Sequence, residues 1–215
     1  MSILAHKLRK TPQQQVGGGG GIEYIASTSN STTSNSTSFF IYKPTGTVEG
    51  DLMIACLCSS TTSGNFTAPT GWTEVLDTVS RGVFYKVAGA SEDSYYQFTR
   101  SASAKHDGFI LTFRGATYDT VGSLSGSSNP TVAPSITVSA NDSFVICFAS
   151  SNLVYNVTAT YPEGWDKKAE DTDGSAPTGA VATKMFDSGS TGTVSVSFNS
   201  GYSFFRSVLI SINPI

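Results

Sequence analysis

Catalysis requires titratable or nucleophilic groups that can converge, and such groups are sparse in this chain. There are two histidines: His6, ahead of a glycine run, and His106, in Ser/Ala/Lys-rich sequence before an apolar segment. No Gly-x-Ser-x-Gly elbow surrounds a serine. Cys56, Cys58 and Cys147 lack metal-ligand spacing with histidine. Their odd number, with two in one apolar stretch, predicts small buried thiols rather than a disulfide framework. Gly17 to Gly21 lack the following Gly-Lys-Ser/Thr of a phosphate loop, so the run reads as a linker. The densest acidic stretch holds Glu163, Asp166, Glu170, Asp171 and Asp173, followed by Gly174. Asp171 to Gly174 resembles the start of a calcium loop but lacks its closing glutamate, so a solvated turn is expected. The chain is therefore expected to be no enzyme, with no catalytic residue, metal or cofactor.

Recognition chemistry is better represented. Tyr155, Tyr161, Tyr202, Phe204 and Phe205 lie in or near turns of the second half, and Tyr95 lies on a polar strand face. Aromatic rings beside Asn and Ser suit sugar stacking, and they equally suit burial at a subunit contact; both remain open. A second candidate is the N-terminal arm, residues 1–21. Its first ten residues carry Ile3, Leu4 and Leu8 together with His6, Lys7, Arg9 and Lys10, and no acid. The five glycines that end it form a flexible joint. Such an arm can dock apolar groups on a partner while its cations meet acidic surface. No apolar run follows the early charges, so a signal peptide is not expected, and no segment approaches membrane-spanning length. A formal net charge of −3 argues against a nucleic-acid partner.

The elements that position these residues are strands. Charged residues are only 13% of the chain, and Ser, Thr, Asn and Gly fill the polar positions, which disfavours helices and suits turns. Short apolar or alternating runs follow one another from Ile22 onward. They also repeat. Residues 50–60 align with 141–151, which sets Asp51 on Asp142 and Cys56 on Cys147. Pro69–Trp72 matches Pro162–Trp165, Lys86 matches Lys184, and Phe98 matches Phe198. Phe109, Leu111 and Phe113 match Val208, Ile210 and Ile212 with the same facing. Duplicated residues read as scaffold: each Trp as a ring plugging the sandwich end, each Asp as a turn former, each Lys as solvent-facing. Residues 52–58 and 144–149 are apolar on both faces, so their second face needs a cover: a loop, the N-terminal strand or a neighbouring subunit. The fold expected is all-β, an antiparallel two-sheet sandwich over residues 22–215, internally duplicated with repeat halves roughly 38–115 and 129–213.

One motif string carries a resemblance. Gly50-Asp51 precedes an apolar strand, and Pro69 to Thr73 reads Pro-Thr-Gly-Trp-Thr. Phe84 to Ala88 leads into Gly89, Ser91 and Glu92; Tyr96, Phe98 and Thr99 precede an apolar strand ending at Arg114-Gly115. This resembles jelly-roll-like sandwich domains of tailed-bacteriophage virion proteins, including capsid decoration proteins and tail-fibre modules. It is strongest over residues 50–115. The resemblance implies a virion structural protein, often oligomeric, with no catalytic residues to carry over. The leading expectation is a decoration or cement protein, anchored by its arm to major capsid or tail proteins, with a homo-oligomeric, trimeric body. The alternatives are a tail or fibre module that binds host-surface glycans and a secreted carbohydrate-binding module. No membrane partner is expected.

Overall fold

The computed structural model describes residues 21–78, 80–154, 156–172, 174–202 and 204–215. The arm residues Ile3, Leu4, His6, Lys7, Leu8, Arg9 and Lys10, and also Tyr155, lie outside them. The first half contributes β1 (Glu23–Ser31), β2 (Ser36–Tyr42), β3 (Leu52–Ser59), β4 (Phe66–Thr67), β5 (Thr73–Thr78), β6 (Arg81–Val87), β7 (Tyr95–Ala104) and β8 (His106–Arg114). The second contributes β9 (Ala116–Val121), β10 (Thr131–Ala133), β11 (Thr137–Val138), β12 (Ser143–Val154), β13 (Ala159–Thr160), β14 (Asp166–Glu170), β15 (Pro177–Phe186), β16 (Gly189–Ser190), β17 (Val194–Phe198) and β18 (Phe205–Pro214).

The protein is an all-β, antiparallel sandwich with more layers than expected. Two five-stranded sheets, β1-β8-β3-β6-β5 and β9-β18-β12-β15-β14, face each other at the centre. Each carries a smaller sheet on its outer face. β2-β7-β4 covers the first, and β10-β17-β13 with the β11-β16 pair covers the second. This resolves the doubly apolar strands. In β3, Leu52, Ile54, Cys56 and Cys58 enter the central core, while Met53, Ala55 and Leu57 pack outward on Phe39, Ile41 and Phe98. In β12, Ile146 and Phe148 enter the centre, while Val145, Cys147 and Ala149 pack outward on Val196, Phe198 and Phe205. The cover is a sheet of the same chain in both cases. Three cores thus form in one chain, which is why so many central strands have no polar face.

Strand order and register relate the eight strands of the first half to eight of the ten in the second, and the β11-β16 pair has no counterpart. β1, β8, β3, β6 and β5 take the places of β9, β18, β12, β15 and β14. β2, β7 and β4 take those of β10, β17 and β13. β9 begins at Ala116, so the second set of strands starts before residue 129. Register also moves one assignment. Cys56 pairs with Phe109, and Phe148 with Val208, so Cys56 occupies the place of Phe148. Cys147 occupies that of Ala55 and faces the opposite core. Aligning Asp51 with Asp142 and Cys56 with Cys147 is thus one residue out of step, because side-chain facing has period two and the facing strand sets it.

The Pro-x-Gly-Trp motifs are equivalent turns. Gly71 and Gly164 have φ of 89° and 83°, and the Trp72 and Trp165 N–H groups donate to Pro69 and Pro162 O at 3.3 Å. Positive φ two residues into such a turn selects glycine. Trp72 packs edge-on against Tyr96, and Trp165 lies against Tyr161 and Phe186, so both rings close the outer cores. Lys86 does not point to solvent. Its Nζ lies 2.7 Å from Glu92 Oε2, and the side chain crosses the Gly71 turn. Lys184 likewise crosses the Gly164 turn.

Candidate recognition surface

The aromatics singled out in the sequence divide into scaffold and surface. Phe205 is fully buried and stacks on Phe198 at a centroid distance of 3.9 Å. Tyr161 turns its hydroxyl inward to donate to Ala180 O at 2.8 Å, and burial pushes that phenol well above its usual pKa. Phe205 cannot meet a partner, because alternation along β18 carries it into the outer core, whereas Tyr161 is half-buried with its ring packed on that core. Tyr202, Phe204 and Tyr95 are exposed.

Tyr95 is part of a cluster that the sequence reading missed. In β2, Phe39 and Ile41 point inward and Phe40 and Tyr42 outward; in β7, Tyr96 and Phe98 point inward and Tyr95 and Gln97 outward. Register places Tyr42 opposite Tyr95 and Phe40 opposite Gln97. Three rings meet on one open face, with centroids 5.3 Å apart for Phe40–Tyr42, 5.6 Å for Phe40–Tyr95 and 6.5 Å for Tyr42–Tyr95. They are 41%, 55% and 48% exposed, respectively for Phe40, Tyr42 and Tyr95. No local signal marks the outward face, since Phe39 to Tyr42 is apolar throughout and rings on both faces of a strand read as core.

Depressions flank the rings. One of about 350 Å³ lies between Ser38, Phe40, Tyr42, Tyr95 and Gln97. A second, of about 440 Å³, continues from Tyr95 and Gln97 to Asp93, Ser94 and Thr70. A third adjoins Phe40 and Ser38 and runs along residues 30–36, all of them Asn, Ser or Thr. Beneath the second, Glu92 anchors the loop that presents Asp93 and Ser94. It accepts from Lys86 Nζ, Tyr96 Oη and the Gly89 N–H, each at 2.7 Å. Burial alone would raise the Glu92 pKa, but these three donors outweigh it and hold it below the ordinary value.

The remaining chemistry-bearing residues are structural. His106 is buried, stacks on Phe39 at 4.8 Å and places Nε2 2.8 Å from Ser36 O. Burial lowers its pKa below 6.5. Its strand position is that of Phe205, since Ser59 pairs with His106 as Ser151 pairs with Phe205. Asp51 accepts the Val48 N–H at 2.9 Å and pairs with Arg114 at 3.0 Å, while Asp142 occupies a turn at φ 56°. Cys56, Cys58 and Cys147 are free, buried thiols, each pushed up in pKa by burial. In the acidic stretch, Glu170 pairs with Lys167 and Asp166 with Lys168. Asp173 lies outside the described residues, and among those described no three acidic, His or Cys side chains gather as metal ligands.

Compared with known proteins, the chain matches no family model, no curated protein and no solved structure.

Proposed function

We propose that the chain is a non-enzymatic structural protein of the exterior of a tailed-phage particle, and that its body binds glycan through Phe40, Tyr42 and Tyr95. The observation that carries the glycan reading is a difference between equivalent sheets. Val132 and Ser195 form the register pair that corresponds to Tyr42 and Tyr95, and Pro130 takes the place of Phe40. The same scaffold position therefore folds without any ring. Exposed aromatics that the scaffold does not require are available for a ligand. Rings meeting edge to face present apolar faces in several directions, and the Ser, Asn, Gln and Asp side chains around them supply hydrogen bonds for sugar hydroxyls. A glycan array screened with the full chain tests this. Binding is expected to a subset of bacterial surface polysaccharides and to be lost in a Phe40→Ala, Tyr42→Ala, Tyr95→Ala variant of unchanged circular dichroism. Equal binding by that variant would remove the reading.

The decoration or cement reading is favoured by the composition of the arm: apolar and basic residues tethered by five glycines. A tethered segment raises the effective concentration of the body at its docking surface. Deleting residues 1–21 is expected to abolish association with particles while leaving a folded body. Particle association by the truncated chain would exclude an arm anchor.

A further inference from the structure

The seam between the two central sheets ends differently on its two sides. Cys58 pairs with Arg81 and Asp107, and the corresponding residue Ser150 pairs with Gly179 and Arg206. Arg81 thus corresponds to Gly179, and Asp107 to Arg206. Arg81 and Asp107 of the first half meet Ser150 and Gly179 of the second across the seam. On one side Gly179 meets Asp107 so closely that an added Cβ would lie 2.5 Å from its Oδ2. That side is shut, with Cys58 and Asp107 fully buried. On the other side Arg81 reaches Ser150, and an open cleft of about 590 Å³ remains beside Arg81, Arg206 and Phe204.

The cleft gathers positive charge, with no counter-ion among the described residues. Arg81 is 1% exposed. Its Nε donates to Ser150 Oγ at 3.0 Å, Nη2 to Ser150 O at 3.1 Å and Nη1 to Ser80 Oγ at 2.6 Å. A guanidinium has five N–H donors, so donors remain. Arg206 is half-buried and makes one long contact, 3.5 Å to Ser125 O. Neither guanidinium has a carboxylate within ion-pair distance among the described residues. Burial lowers the Arg81 pKa to about 10, and Arg206 adds to that lowering through repulsion. Two neighbouring guanidiniums, one of them desolvated, are costly without an anion, and planar forks suit the oxygens of one. The chain as a whole is acidic, so the feature is local rather than part of a basic surface.

We infer that the cleft between the halves is a binding site for an oxyanion, held between Arg81 and Arg206 with Thr62 and Ser80 at its wall. The shared chemistry is a phosphate, sulfate or carboxylate group, either as a small free ion or as a substituent of an acidic saccharide. The site is separate from the aromatic face and does not depend on it.

Titration calorimetry and thermal melting of the full chain with inorganic phosphate, sodium sulfate and sodium glucuronate, each against sodium chloride of equal ionic strength, test the assignment. Saturable stabilisation by phosphate or sulfate identifies a free-ion site; stabilisation confined to glucuronate identifies a sugar-borne carboxylate. Arg206→Gln leaves Arg81 and the core in place and is expected to weaken binding by about tenfold, the loss of one charge-assisted contact. Arg81→Lys, which keeps the charge but loses the fork, is expected to weaken it as well. No specific effect of any of the three anions, or unchanged affinity in Arg206→Gln, would overturn the inference. Phe40→Ala must leave anion binding intact, so its failure is distinguishable from failure of the glycan reading.

Discussion

Phe204 and Phe205 are neighbours in sequence and opposites in structure, and this makes a sharp test of the register. Phe205 is 0% exposed and stacks on Phe198, whereas Phe204 is 51% exposed. Truncating a buried phenylalanine costs about 3–5 kcal/mol, from lost transfer energy and the cavity left behind. The outer core is sealed by β17 on one side and β12 on the other, so little collapse is available and the upper part of that range applies. For a chain of this size each kcal/mol moves Tm by about 2–4 °C, so Phe205→Ala should lower Tm by about 8–20 °C. Phe204→Ala should change stability by no more than about 0.5 kcal/mol, or about 2 °C. Differential scanning calorimetry of the two variants is sufficient. Comparable losses, or the larger loss in Phe204→Ala, would refute the placement of β18. They would also refute the one-residue correction that separates Cys56 from Cys147, since both depend on the same pairing.

Other outcomes follow from single contacts. Gly179→Ala forces a methyl against Asp107 and Phe109 at the shut side of the seam and should destabilise by about 1–3 kcal/mol, while Gly126→Ala, with open space around it, should be neutral in the same urea titration. His106 holds its proton less tightly folded than unfolded, so its contribution to stability is intact above about pH 6.5 and is lost as pH falls from there through the lowered folded pKa. His106→Gln should flatten that part of the stability profile; an unchanged acid slope would show that His106 is not its source. Glu92 has the same sign at lower pH, with stability present above its ordinary value near 4.5 and lost as pH falls through the depressed folded one. Glu92→Gln should remove that dependence and loosen the Asp93–Ser94 loop, read as faster amide exchange at residues 89–94.

Much of the architecture was legible because period-two alternation and turn residues are local. The matches of Pro69–Trp72 with Pro162–Trp165, and of Phe109–Phe113 with Val208–Ile212, hold in register. The match of Cys56 with Cys147 does not, because the two thiols face different cores. Carrying the Thr112–Ser211 correspondence back across the pairing would have put Met53 with Val145 and corrected it. The outer sheets were harder to see. β4, β13 and β16 are two residues each, and so short a strand has no periodicity. The aromatic face was missed for a related reason: Phe39 to Tyr42 shows no polar alternation, and only pairing with β7 reveals which rings face out. The arginine cleft has no local signature at all. Arg81 and Arg206 are 125 positions apart, and only the stacking of one sheet on the other joins them.

The apolar seam gives the chain the economy of a dimer that cannot dissociate. Separated, either half would expose the whole inner row of its five-stranded sheet, from Leu52 to Phe113 or from Ile146 to Ile212. Held in one chain, the halves stay together at any dilution, and assembly costs no translational freedom. The two outer sheets then face away from each other across the stack. At about 10 Å per layer they stand about 30 Å apart. One bears rings and the other, at the corresponding positions, bears Pro130, Val132 and Ser195. A ligand on the aromatic face leaves the opposite face open to a second contact, so one chain can be engaged from both sides at once without either occupant displacing the other.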